Sequence, residues 1–447
     1  MSRVDAARAL QGDLADLRRR LHREPELGLS LPRTQEKVLE ALDGLPLEIT
    51  LGKGLSSVTA VLRGGRSGGA ALLRADMDAL PIQECSGEEF SSRFDGLMHA
   101  CGHDLHTAGL VGAARLLADR RELLCGDVVF MFQPGEEGCN GAEVMLGEGV
   151  LDAAGKPLNA AYSLHVLSNL LPRGSITTRP GPVLAASDSF HVTVIGRGGH
   201  GSTPHAARDP VPAICEIVLA LQTYVTRRFD IFDPVVVTVG SLHAGTMENV
   251  IPDSAEFRAT VRSYSLGNQQ RLAVELPRLA VDIAHAHGLD VRADYRPMYP
   301  VTLNDPAETQ FALDTATELF DHAVLMPQPL AGSEDFSLVL QRVPGTMLLV
   351  GATPDGLDPA EAPMNHAPRA RFDDSVLHVQ SALLAELAFA RLARTAGSAG
   401  GGEVIDDVQQ VGIDPVGDAG RLGGGRDQVG DQQTAQAGRV GGAEAVG

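Results

Sequence analysis

The chain has 447 residues, 44% of them hydrophobic, no tryptophan and a formal charge of −20 at pH 7. Its length exceeds one ordinary core, so two compact domains, or one large domain with an insertion, are expected. The acidic balance excludes a nucleic-acid partner, which needs a concentrated basic surface, and five cysteines at positions 85, 101, 125, 139 and 215 form no disulfide framework.

The N-terminal stretch MSRVDAARALQGDLADLRRRLHREPELG sets apolar positions at helical spacing among charges and lacks the apolar run of a signal peptide. No segment offers the ~20 apolar residues of a membrane helix, so a soluble cytoplasmic protein with no membrane partner is expected. The runs SVTAVLRG, AALLRADMD, DVVFMFQP and AAYSLHV read as strands, and TAGLVGAARLLADRREL reads as a helix. Strands alternating with helices predict an α/β sheet. Ligand sites in such sheets lie beyond the strands' carboxyl ends, where Asp76, Asp78, Glu136, Glu137 and His165 fall.

A second rhythm starts near Ser187. The strand DSFHVTVIG, a helix over about Asp209 to Arg228, the strands PVVVTVGSLH and SAEFRATVRS, a second helix and the strand LDVRADYR follow one another. This β-α-β-β-α-β order is the ferredoxin-like unit, placed here as an inserted domain over 187–296. The remaining catalytic domain then comprises 1–186 and 297–395, with ETQFALDTATELFD helical, TMLLVGA a strand and a closing helix from about Val376 to Ala393. Residues 396–447, glycine-rich and without an aromatic residue, read as a disordered tail.

The segment His99-Ala-Cys-Gly-His-Asp-Leu-His106 packs three histidines, a cysteine and an aspartate into eight residues. Thiolate and imidazole are good ligands for zinc and similar metals, and Cys101 and His103 can reach one site across a single glycine. Two ligands do not make a site, so others must come from elsewhere. In Pro134-Gly135-Glu136-Glu137-Gly138, adjacent carboxylates follow an apolar strand. A metal would relieve their repulsion, with one glutamate as ligand and the other as general base. His165 ends a strand and His366 lies in a proline-bounded turn. Five protein ligands are too many for one catalytic tetrahedral ion but suit two metals sharing bridging groups and a water.

RADMDALP (74–81), HACGHDLH (99–106), QPGEEG (133–138), SLHV (163–166), GRGGHGSTPH (196–205), ENVIPDSAEFRATVRS (248–263), AGSEDFS (331–337) and MNHAP (364–368) occur in this order. From about His22 to Leu392 the chain resembles the amidohydrolase branch of the aminoacylase and carboxypeptidase-like dinuclear metallopeptidases, which includes hippurate hydrolases, N-acyl-amino-acid amidohydrolases and auxin-conjugate hydrolases. The resemblance implies a mixed-sheet α/β metallopeptidase domain with an inserted ferredoxin-like lid and dimerisation domain, assembled as a homodimer or homotetramer. It implies that Cys101, His103, Glu137, His165 and His366 bind two divalent ions, manganese or zinc with cobalt or nickel admissible, and that Glu136 is the base. Asp78 takes a supporting aspartate role, and Asp76 either supports the site or caps its strand. His200 reaches over the metals, from its own or a neighbouring subunit, to polarise the scissile carbonyl.

Asn249 resembles the family's substrate-binding asparagine. Arg258 either binds a carboxylate or faces solvent. Gly332, Ser333 and Glu334 either close the pocket near the substrate's carboxylate or form a plain polar loop. His99, Asp104 and His106 lie behind the ligands or at the helix start. The implied reaction is hydrolysis of an N-acyl amino acid by a metal-bound water, with Glu136 as base; a dipeptidase or carboxypeptidase and a non-catalytic binding protein are the alternatives. A dinucleotide site at Gly196, Gly198 and Gly201 fits poorly, because its acidic partner would fall inside a helix at Glu216. A zinc deaminase would need a P-C-x-x-C element, which is absent.

Overall fold

Apolar strand segments dominate the centre of the fold. The computed structural model describes residues 2–320 and 323–399. The strands are β1 (Leu47–Leu51), β2 (Val58–Leu62), β3 (Arg66–Asp76), β4 (Cys125–Gln133), β5 (Leu158–Leu167), β6 (Ile176–Thr178), β7 (Gly181–Leu184), β8 (Ala186–Ile195), β9 (Gly199–His200), β10 (Val235–Ala244), β11 (Val250–Ile251), β12 (Ser254–Ser263), β13 (Asp290–Tyr299), β14 (Thr302–Asn304), β15 (Ala323–Leu325) and β16 (Gly345–Gly351). Eight form one mixed sheet in the order β1-β2-β4-β3-β5-β16-β6-β15. Its centre, β4-β3-β5-β16, is parallel.

Parallel strands covered on both faces read as near-continuous apolar runs, and those runs alternate between two cores. Leu73, Phe130, Phe132, Tyr162 and Leu348 face one core, together with residues from the helices Gln11–Arg23, His103–Ala118 and Leu377–Ala399. Leu72, Val129, Met131, Ala161 and Met347 face the other, together with residues from the shorter helices Gly141–Gly147 and Ser337–Leu340.

Three expectations need correction. The helix expected from Thr107 begins at His103 and ends at Ala118, so the histidine-rich segment runs into the helix's first turn. The closing helix extends to Ala399, three residues beyond the expected start of the tail at 396; the expected disorder from residue 400 lies outside the described residues. The C-terminal segment Asp374–Ala396 has the length and mean hydropathy, 1.3, of a candidate membrane span, contrary to the sequence reading. With 72% of that window buried against the sheet and its helices, it serves as a core helix.

The second sheet, β10-β12-β8-β13, is wholly antiparallel. With the helices Pro210–Arg228 and Leu266–Ala286 it has the expected ferredoxin-like order. Those helices cover one face, where Phe190, Val194, Ile217, Leu221, Phe257, Leu272 and Leu276 form a separate apolar cluster. On the other face Arg258 is exposed, matching the solvent-facing alternative for that residue. All five cysteines are free.

Candidate metal centre

The carboxyl ends of the parallel strands converge. His165 lies near the end of β5, Glu136 and Glu137 follow β4, Asp78 follows β3, and His366 lies on the loop after β16. Gly102 caps the helix that opens with His103. Its backbone is left-handed, with φ at 88°, and a Cβ there would sit 2.3 Å from Val166 Cγ2. Glycine therefore allows Cys101 and His103 to flank this tight corner.

Cys101 Sγ is 3.4 Å from His165 Nε2 and 3.3 Å from His366 Nε2, and His366 Nε2 is 3.1 Å from Glu137 Oε1. His103 Nδ1 donates to the Asp78 carbonyl at 2.8 Å, and His165 Nδ1 donates to the Val166 carbonyl at 2.8 Å. Each ring is anchored by one nitrogen and presents the other, the arrangement by which carbonyls orient metal-binding imidazoles. Cys101, His103 and His165 form one group of potential ligands, and Cys101, Glu137 and His366 another. His103 Nε2 is buried without a hydrogen-bond partner. Two donor groups sharing a thiol, with an orphaned imidazole nitrogen among them, fit a pair of divalent ions.

His106 does not join them. Its Nε2 accepts the Val166 N–H at 2.8 Å and its Nδ1 donates to Asp76 at 2.6 Å, so both nitrogens are engaged. Asp104 accepts from Arg18 at 2.7 Å and His22 at 2.8 Å. His99 is buried with neither ring nitrogen bonded, and burial lowers its pKa to about 4.

The local charges prepare the donors. Burial alone would raise the Cys101 thiol, but the imidazoles of His165 and His103 outweigh it and hold the pKa well below the ordinary value. A thiolate is the form that binds metal. Burial, then the charges of Glu334, Glu137 and Asp335, hold the Glu136 pKa well above its ordinary value. Asp335 is pushed up to about 7, chiefly by burial and against the pull of Arg74. Arg74 is wholly buried, donating to Gln133 at 2.9 Å, Asp76 at 2.7 Å, Glu334 at 2.8 Å and Asp335 at 2.9 Å.

Several expected site residues take different places. Asp78 accepts the backbone N–H groups of Glu136 at 2.9 Å and Glu137 at 3.0 Å, so its carboxylate fixes the glutamate turn and it is a positioning residue. Glu334 is not part of an open loop: it is 1% exposed, held by Arg74, and lies beside Glu136. Gly332 remains exposed and Ser333 partly so. Asp76 accepts from Arg74 and His106, so its support reading prevails over the strand-cap alternative. His200 and Asn249 are exposed on the β9–β11 ribbon, where Gly201 N–H donates to the Asn249 carbonyl at 2.8 Å. Among the described residues, neither shares a hydrogen bond with the five candidate ligands.

Sequence reasoning missed several supports. Asn365 Nδ2 donates to the carbonyls of Cys101 at 3.2 Å and Val166 at 3.0 Å. Tyr299, ending β13, donates its hydroxyl to the Glu136 carbonyl at 2.6 Å. Arg74 had a readable signal, a cation inside an apolar strand. Tyr299 had none.

The description Peptidase family M20/M25/M40 matches residues 72–390. N-acetylcysteine deacetylase of Bacillus subtilis is 36% identical over 384 residues, covering 86% of this chain and 98% of that protein. Thermostable carboxypeptidase 2 of Saccharolobus solfataricus is 36% identical over 342 residues, covering 76% and 85%. The crystal structure of a Bacillus subtilis protein described as a dinuclear metal binding peptidase superposes with a TM-score of 0.74 at 34% identity, covering 86% of this chain and 99% of that one.

Replacing Cys101 by serine is expected to lower the metal retained after dialysis against a chelator, measured by elemental analysis; unchanged stoichiometry and affinity would remove the thiol from the ligand set. Tyr299→Phe removes the bond to the carbonyl of Glu136 in the glutamate turn. Its kcat should fall about fivefold, the effect of ~1 kcal/mol, with KM and metal content retained in steady-state assays. An unaltered kcat would show that the Tyr299 bond does not position Glu136.

Proposed function

The chain belongs to peptidase family M20/M25/M40, and from that premise we propose that it hydrolyses the amide bond of N-acyl amino acids with Glu136 as general base. The observation that carries this reading is the buried Glu136 beside the thiol, imidazole and carboxylate donors, on a turn gripped by Asp78. Two divalent ions held by Cys101, His103, Glu137, His165 and His366 would polarise the substrate carbonyl and acidify water; manganese or zinc fit the mixed S, N and O donors, with cobalt or nickel admissible.

Glu136 takes a proton from the attacking water and returns it to the amide nitrogen as the carbon–nitrogen bond breaks. His200 supplies the second polarising group. Its Nδ1 accepts the Ser202 N–H at 3.1 Å, so in the neutral ring Nε2 carries the proton and can donate to a developing oxyanion. Asn249, just before the paired strand, binds the amino-acid half, and Gly332 and Ser333 border the substrate's entry. His200 would reach the carbonyl through closure of the 187–296 unit, acting as a lid, or from a neighbouring subunit in a homodimer or homotetramer. The cytoplasm is the proposed location.

A second reading, a dipeptidase or carboxypeptidase, is favoured by the similarity to thermostable carboxypeptidase 2. N-acetyl, N-benzoyl and indole-acyl amino acids, compared with free-amine dipeptides on metal-reconstituted protein, separate the two readings. Preferential turnover of the acylated set is expected; preferential dipeptide turnover would favour the peptidase. Glu136→Gln should retain metal and lose about 10²–10⁴-fold in kcat. Near-normal turnover by the metal-loaded variant would rule out its role as base.

A further inference from the structure

Three large apolar side chains stand in solvent on loops beside the metal-binding cluster. Leu170, after β5, is 56% exposed; Leu357 and Met364, after β16, are 43% and 62% exposed. β5 and β16 are parallel neighbours, with His165 opposite Leu349, so both loops leave the sheet at the edge that carries the candidate ligands. The loops are tied together. Leu170 N–H donates to the Pro359 carbonyl at 2.8 Å and Ser168 Oγ to the Pro363 carbonyl at 2.8 Å. Asn365 Oδ1 accepts the Ser168 N–H at 2.9 Å while its Nδ2 holds the Cys101 carbonyl at 3.2 Å, joining this rim to the cluster.

Leu170 is held there against its backbone preference. Its φ is 65°, and Leu171 N–H bonds back to the Asn169 carbonyl at 2.8 Å, closing a γ-turn around it. A side chain with a Cβ is disfavoured in this left-handed region, and the positive-φ γ-turn is the rare, strained form. Glycine would relax it. A leucine both strained and exposed is not explained by burial in a core, and such strain concentrates at ligand sites.

The rim's charges are mixed and partly paired. From Pro354 to Asp373 the loop carries Asp355, Asp358, Glu361 and Asp373 beside Arg369 and Arg371. Arg173, on the facing loop, is paired with Asp373 at 2.7 Å and Asp355 at 3.2 Å, and Arg371 is paired with Glu88. The uncharged acyl group is the half of the substrate that gains from apolar contact with the exposed leucines and methionine.

We propose that Leu170, Leu357 and Met364 form an apolar acyl subsite that favours N-acyl amino acids with aromatic or medium-chain aliphatic acyl groups over N-acetyl substrates. This inference rests on the amidohydrolase reading. Metal-reconstituted full chain is assayed with N-acetyl, N-octanoyl and N-benzoyl derivatives of one amino acid. The two larger acyl groups should raise kcat/KM at least about tenfold over acetyl, the lower range of discrimination by an apolar contact.

In the double variant Leu170→Asn with Met364→Ser, that ratio should shrink at least about fivefold. Leu170→Asn alone should keep or raise the thermal midpoint, since asparagine tolerates positive φ better. A flat acyl preference, a double variant that keeps the preference, or a lowered midpoint for Leu170→Asn overturns the subsite. Failure to cleave any N-acyl amino acid while dipeptides turn over overturns the amidohydrolase reading, and the subsite with it; turnover with an unaltered ratio overturns the subsite alone.

Discussion

The arrangement depends on one buried cation. Arg74, near the carboxyl end of the central strand β3, meets Asp76, Glu334, Asp335 and Gln133 in the interior. Carboxylates buried there without compensation would carry several kcal/mol each of desolvation penalty, on the order of that found for uncompensated interior ions. The guanidinium lets acids from separate segments share the space behind Glu136. Its single charge does not cancel them all, so the residual negative potential supports the high proton affinity of Glu136. Packing and acid–base chemistry are thus two effects of the same ion pairs.

The strand ends provide a fixed frame. Asp78 grips both backbone amides of the glutamate turn, while Asn365, next to His366, donates to the Cys101 and Val166 carbonyls. Carbonyls fix His103 and His165 through one nitrogen each. His200 and Asn249 belong to a separate ribbon. Tyr299, the last residue of the second sheet, bonds to the Glu136 carbonyl and links the two sheets at the glutamate turn.

Much of this was legible because residue type and local order carried it. The apolar runs identified the central strands, and the β-α-β-β-α-β order matched the second sheet's topology. The five ligand candidates stood in motifs rich in thiol, imidazole and carboxylate, and the fold brings them within two overlapping groups. What local order could not reveal was pairing across long separations. Glu334 read as closing the pocket or as part of a plain polar loop, and its pairing was hidden because its partner, Arg74, is 260 positions away. Tyr299 contacts the Glu136 carbonyl from 163 positions away, and nothing in its neighbourhood marks it. The helix start was misplaced because its cap is a left-handed glycine rather than a side chain that accepts a hydrogen bond.

That glycine also bears on how this metal centre can change over evolutionary time. Any side chain at Gly102 would collide with Val166 and strain a left-handed backbone. The step from thiol to imidazole is therefore closed to point substitution at its middle residue. A change of metal preference would have to come from the identities of the donors and the loops around them rather than from the corner that joins Cys101 to His103.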